Sequence, residues 1–145
     1  MVTLVCGLPG SGKTTYVKNN MKDGLCYDLD YIAWALRLEG EHNDFHQEAR
    51  LLANEFLYGF MTLAHKYTDD IWIIRTAPKE DELEFLKPNK IIIMKHQYDV
   101  SKRKDYSWVY VDEEEKIERL KCIKEYAQEN KIDLKIIGEN PPLLR

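Results

Sequence analysis

Residues 7–14 read GLPGSGKT, a full match to G-x-x-x-x-G-K-[ST], and no other stretch limits the fold of the chain so tightly. The motif has its meaning in one setting, after a buried strand and at the start of a helix. Both neighbours are present: residues 2–6 (VTLVC) are an apolar run of strand length, and residues 13 to about 20 have helical character, ended by Asn19-Asn20 and Lys22-Asp23-Gly24. Glycine lets the backbone turn successive N–H groups inward, and a helix start adds partial positive charge, so the loop is a nest for an anion. The pattern assigns nucleotide binding to Gly7, Pro9, Gly10, Ser11, Gly12, Lys13, Thr14 and Thr15. Lys13 is expected on the β and γ phosphates and the Thr14 hydroxyl on Mg²⁺. ATP is the expected nucleotide, since no guanine-reading N-K-x-D sequence occurs.

Further along, residues 25–28 (LCYD), 71–74 (IWII), 91–94 (IIIM) and 134–137 (LKII) are strand candidates. Helical segments separate them. One covers residues 31–38 with Asp30 as N-cap, and a long amphipathic one runs to about residue 67 behind the capping pair Asp44 and Gln47. A third opens at Pro78, and a fourth follows the capping pair Asp112 and Glu115. Short apolar strands separated by helices predict a three-layer α/β/α sandwich around a mostly parallel five-stranded sheet, because parallel strands need crossovers that lay helices on the faces. At 145 residues the chain has the size of one domain, residues 1–138, followed by a tail over 139–145. Ligands of such sheets bind beyond the C-terminal strand ends, so Gly7, Asp28, Arg75 and Lys95 are expected to share a crevice.

The use made of the phosphate depends on the acids. The two most apolar later strands end in Arg75 and Lys95, while LCYD ends in Asp28, with Asp30 two residues on. Asp28 is a candidate for orienting Mg²⁺, and Asp30 for taking the proton of an acceptor hydroxyl that attacks the γ-phosphorus; the alternative for Asp30 is a plain N-cap. Arg75 and Arg37 are candidates for gripping an acceptor or a phosphate. Tyr31, Trp34 and Trp108 have the chemistry to stack a base, although the helical spacing of Trp34 points to the core.

The sequence V-C-G-L-P-G-S-G-K-T-T-Y-V followed by D-L-D resembles the polynucleotide-kinase-like and small-molecule-kinase-like branch of P-loop NTPases. It is particularly similar to small AAA family ATPase, or ATP-binding, proteins of bacteriophages, through Asp28-Leu29-Asp30-Tyr31-Ile32-Ala33-Trp34-Ala35-Leu36 and Trp72-Ile73-Ile74-Arg75-Thr76-Ala77-Pro78. The resemblance implies the P-loop fold, ATP and Mg²⁺ binding, and a kinase in which the second strand leads into a catalytic Asp. Relatives of that kind carry a lid with paired arginines; here residues 96–110 offer Lys102-Arg103-Lys104, which places Arg103 as a candidate on the nucleotide, with a solvated loop as the alternative.

The expected function is therefore transfer of the ATP γ-phosphoryl group, with Lys13, Asp30 and Arg75 as catalytic residues, to an unnamed acceptor: a nucleoside, nucleotide, polynucleotide end or similar small molecule. An ATPase accessory to a nucleic-acid process and a non-catalytic ATP-dependent binding module are the alternatives. A net charge of -4 argues against a broadly basic surface and leaves nucleic acid as a local contact only. Three cysteines without a C-x-x-C, no secretory pattern and no apolar run near the ~18 residues of a membrane span suggest a cytoplasmic protein with no membrane partner. His42 and His46 lack a metal-site pattern.

Overall fold

In the computed structural model, which describes residues 1–41, 46–95 and 113–138, the glycine loop follows a strand at the centre of a sheet. That strand, β1 (Val2–Gly7), is buried at all six positions, as a parallel strand covered on both faces must be. β3 (Ile71–Arg75) and β4 (Lys90–Met94) flank it, and β2 (Leu25–Asp28) and β5 (Asp133–Ile137) form the edges. The order is β2-β3-β1-β4-β5, parallel at every pairing. Cys6 stands opposite Arg75, Gly7 opposite Met94 and Asp28 opposite Ile74, which keeps the C-terminal strand ends nearly level. The expected α/β class with a five-stranded parallel sheet is what the described residues form.

The helices are α1 (Lys13–Asn20), α2 (Leu29–Arg37), α3 (Gln47–Leu63), α4 (Glu80–Leu86) and α5 (Glu113–Glu129). Of the connections, β1 to β2 runs toward the β2 edge and the others run away from it. Right-handed crossovers then put α1 on one face and α3, α4 and α5 on the other. The core divides accordingly. Val17 of α1 packs with Val5, Trp72, Ile74, Ile92 and Met94, whereas Leu57, Met61, Leu83, Leu86 and Ile123 pack with Leu4, Ile71, Ile73, Ile91 and Ile93. Because the chain leaves β1 toward one face and β3 toward the other, a crevice opens between their ends.

α2 lies against α3 through Ala33, Ala49 and Ala53, side chains small enough to let two helices approach closely. The Tyr27 hydroxyl donates to the Ala53 carbonyl and ties β2 to the same helix.

Several boundaries differ from expectation. α2 starts at Leu29, and its N-cap is Asp28, whose carboxylate accepts from Asp30 N at 3.1 Å; Asp30 is therefore not the cap. α3 is capped by His46, whose Nδ1 accepts from Ala49 N at 3.2 Å, and it ends at Leu63 in a 3₁₀ turn, Ala64–Lys66. Asp44, the helix-capping Asp112, the lid candidate 96–110 with Arg103 and Trp108, and the tail 139–145 lie outside the described residues. Trp34 is not a core residue: it is 39% exposed and donates Nε1–H to Gly40 O at 2.9 Å. No helix among the described residues is long and apolar enough to cross a membrane.

Candidate functional site

The glycine loop is fixed by what surrounds it. A Cβ on Gly7 would fall 2.8 Å from the Met94 carbonyl oxygen and 2.5 Å from Ser11 Oγ, and Gly7 N donates to Thr76 O at 2.9 Å, joining the loop to the end of β3. Gly12 caps α1 at φ 94, a backbone conformation that costs any residue with a Cβ. The Lys13 ammonium donates to the carbonyls of Gly7 at 2.8 Å and Leu8 at 3.0 Å. It is thereby held across the mouth of the loop.

Two residues assigned to the metal from sequence do meet. The Thr14 hydroxyl donates to Asp28 Oδ2 at 2.9 Å, while Oδ1 of the same carboxylate caps α2. Burial, reinforced by the nearby Asp30 charge, raises the Asp28 pKa; the hydrogen bonds from Thr14 and Asp30 N and the Lys13 charge pull the other way. A serine-or-threonine hydroxyl and one carboxylate are hard oxygen donors, and Mg²⁺ is usually held by one or two such groups plus phosphate and water. The pair fits that ion. Among the described residues no group of three or more His, Cys, Asp or Glu side chains could hold a metal.

Asp30 points to a partner that the sequence did not suggest, because Arg50 Nη1 of α3 donates to its Oδ1. Arg75 lies at the end of β3 as expected, but its guanidinium is spent on neighbours. Nε and Nη2 bind both oxygens of Glu82 at 2.6 and 3.1 Å, and Nη1 donates to Asn54 Oδ1 at 2.9 Å. This braces β3 against α4 and α3.

Lys13, Thr14, Asp28, Asp30, Arg50, Arg75 and Glu82 line a crevice of about 670 Å³, together with Pro9, Gly10, Gly12, Thr15, Tyr31, Lys79, Lys116 and Arg119. That volume lies in the usual range for small-ligand sites, roughly 300–1,000 Å³. Six cationic side chains (Lys13, Arg50, Arg75, Lys79, Lys116, Arg119) face three carboxylates (Asp28, Asp30, Glu82). In a chain of net charge -4 this is a local concentration of positive charge.

Other assignments fall away from the crevice. Lys95 does not line it, since β4 sits on the far side of β1 and Lys95 N donates to Ile137 O at 2.7 Å. Arg37 donates to Glu41 O at 3.0 Å, at the end of α2. Ser11 turns inward: its N–H donates to Leu8 O, and its buried hydroxyl finds no hydrogen-bond partner among the described residues. Burial pushes the Cys6 and Cys26 thiols up to about 12, so neither supplies a thiolate at neutral pH.

Sequence reasoning missed Arg50, Lys116 and Arg119. The i, i+3 spacing of Lys116 and Arg119 puts them on one face of α5, yet so many cations share such helices that spacing alone does not mark them. The sequence matches no protein-family model and no curated protein.

Proposed function

We propose that this chain is a P-loop nucleotide-binding protein that transfers the γ-phosphoryl group of ATP to a hydroxyl of a small acceptor. The observation that carries the reading is the Thr14–Asp28 hydrogen bond beside Lys13, at the start of α1 and in a cationic crevice. A phosphate chain in the loop gives the Lys13 ammonium charged oxygens in place of the Gly7 and Leu8 carbonyls, and charge-assisted hydrogen bonds are about twice as strong as neutral ones. Thr14 and Asp28 would hold Mg²⁺, whose contribution when bound is to neutralise phosphate charge.

Of the three crevice carboxylates, Asp28 is engaged by Thr14 and Glu82 by Arg75, and Asp30 lies two residues beyond Asp28. In this reading it accepts the acceptor's proton as the acceptor oxygen bonds to the γ-phosphorus; the bond from that phosphorus to the β–γ bridging oxygen breaks, and ADP leaves. Arg50 is a positioning residue that fixes the Asp30 carboxylate, and Arg75 braces the strand end through Glu82 and Asn54. The resemblance to polynucleotide-kinase-like and small-molecule-kinase-like proteins supports the same chemistry.

Titration calorimetry with the non-hydrolysable analogue AMP-PNP, with and without Mg²⁺, tests the nucleotide part. Binding that needs Mg²⁺ and falls at least tenfold in Lys13→Ala is expected, since one charge-assisted contact is worth about that factor. Absence of binding at millimolar AMP-PNP would overturn it.

A further inference from the structure

Past Arg75 a smaller compartment of about 190 Å³ opens between α3 and α4. It shares Arg75, Lys79 and Glu82 with the main crevice, so the two adjoin. Its distinctive wall is aromatic: the rings of Tyr58 and Phe85 pack with centroids 4.8 Å apart at 52°. Neither ring serves the core, as Tyr58 is 57% and Phe85 41% exposed.

α3 connects this wall to the proposed chemistry. Arg50, Asn54 and Tyr58 recur every fourth residue and so share one helix face. Arg50 holds Asp30, Asn54 accepts from Arg75, and Tyr58 lines the compartment. Eight residues of α-helix cover about 12 Å, so the row leads from the carboxylate assigned as base to the aromatic wall over the length of one small molecule.

We propose that the compartment binds an aromatic ring of the acceptor, and that the acceptor is a single nucleoside-type compound: a heterocycle carried on a hydroxyl-bearing, sugar-like unit. The ring stacks on Tyr58 or Phe85, where any heterocycle finds a π face. Asn54 contributes an amide donor and Asp81 a carboxylate acceptor for polar atoms at the ring edge. The hydroxyl end lies toward Asp30, where the transfer written above takes place. A polyol without a ring gains nothing from this wall, and an oligonucleotide brings several rings to a compartment sized for one. The assignment of the hydroxyl rests on the phosphoryl-transfer reading, whereas docking of the ring on Tyr58 is measurable without it.

The test is ligand-observed NMR titration of adenosine, guanosine, cytidine and thymidine against the full chain, with and without AMP-PNP and Mg²⁺. Ribose and a 5′-hydroxyl tetranucleotide are the comparison ligands, and Tyr58→Ala and Tyr58→Phe the variants. At least one nucleoside is expected to bind more tightly than either comparison ligand. Tyr58→Ala should weaken it about tenfold and Tyr58→Phe by no more than about twofold, because the ring supplies the contact. AMP-PNP affinity should stay unchanged in both variants. The exposed position of Tyr58 on a helix makes Ala a benign replacement, checked by an unchanged thermal melt.

The proposal is overturned if no nucleoside binds, if Tyr58→Ala leaves nucleoside affinity unchanged, if the tetranucleotide binds best, or if AMP-PNP weakens in step with the nucleoside. Loss of AMP-PNP binding in the unaltered chain would instead strike the nucleotide reading, and it is scored separately from the nucleoside arm.

Discussion

The Thr14 hydroxyl donates to Asp28 Oδ2 at 2.9 Å, so the last residue of the glycine motif, in the first turn of α1, and the last residue of an edge strand meet although 14 positions separate them. The register that sets Asp28 opposite Ile74, two strands from β1, brings the carboxylate to the loop. Thr14→Ala and Asp28→Asn should each lower Mg²⁺-dependent AMP-PNP affinity by about 10- to 100-fold, the usual range for disturbed metal-site ligands and their partners. Calorimetry at several Mg²⁺ concentrations reads this directly, and equal affinities with and without Mg²⁺ in the unaltered chain would count against the assignment.

The same carboxylate predicts a trade between binding and stability. Burial raises the Asp28 pKa, so its charged form is less favourable in the folded than in the unfolded chain. The folded state then binds more protons over that interval, and stability falls as pH rises from the ordinary aspartate value through the raised one. Asn keeps the oxygen that caps α2 and removes the buried charge. Asp28→Asn should therefore be more stable than the unaltered chain at pH 7, with the gap closing at acid pH. Urea denaturation at pH 3.5, 5 and 7 measures it; a gap that widens on acidification would refute this cause.

Asp30 and Arg50 should behave as one unit. Asp30→Asn removes the proposed base and should cost about 10² to 10⁴ in turnover while AMP-PNP affinity is retained. Arg50→Ala frees the carboxylate and should cost about 10- to 100-fold, as misplacement of a reacting group does. Combined with Asp30→Asn, the Arg50 change should add almost nothing, because the partner it positions is already gone. Additive losses in this double-mutant cycle would show that Arg50 acts elsewhere.

Gly7 and Gly12 differ in why they resist substitution. On Gly7 a methyl group meets the Met94 carbonyl at 2.8 Å, whereas on Gly12 its nearest neighbour is Met94 Cε at 3.8 Å. Gly7→Ala should cost about 1–3 kcal/mol by overpacking and displace the loop. Gly12→Ala pays for its left-handed φ of 94 alone, roughly 1–2 kcal/mol. Denaturation of both variants distinguishes the two, with the larger loss of nucleotide affinity in Gly7→Ala.

What the sequence revealed was local. The loop, α1 and β2 coincide with the readings from motif and apolar runs, because each is set by neighbours in the chain. In D-L-D either acid fits an N-cap; the choice of Asp28 follows from β2 extending through it to pair with β3, a non-local fact. Arg50 reaches Asp30 only because alanines bring α2 and α3 close. Lys95 directly follows an apolar strand much as Arg75 closes one, and strand order, which no local pattern carries, decides that β4 lies across β1 from the crevice.

Phosphoryl transfer is read out with γ-labelled ATP. Purified chain with Mg²⁺ is offered nucleosides, nucleoside monophosphates and 5′-hydroxyl oligonucleotides, with water as the no-acceptor control. Label on an acceptor hydroxyl, lost in Lys13→Ala and Asp30→Asn, is the expected result. Label found only in free phosphate, or nowhere although AMP-PNP binds, would contradict it.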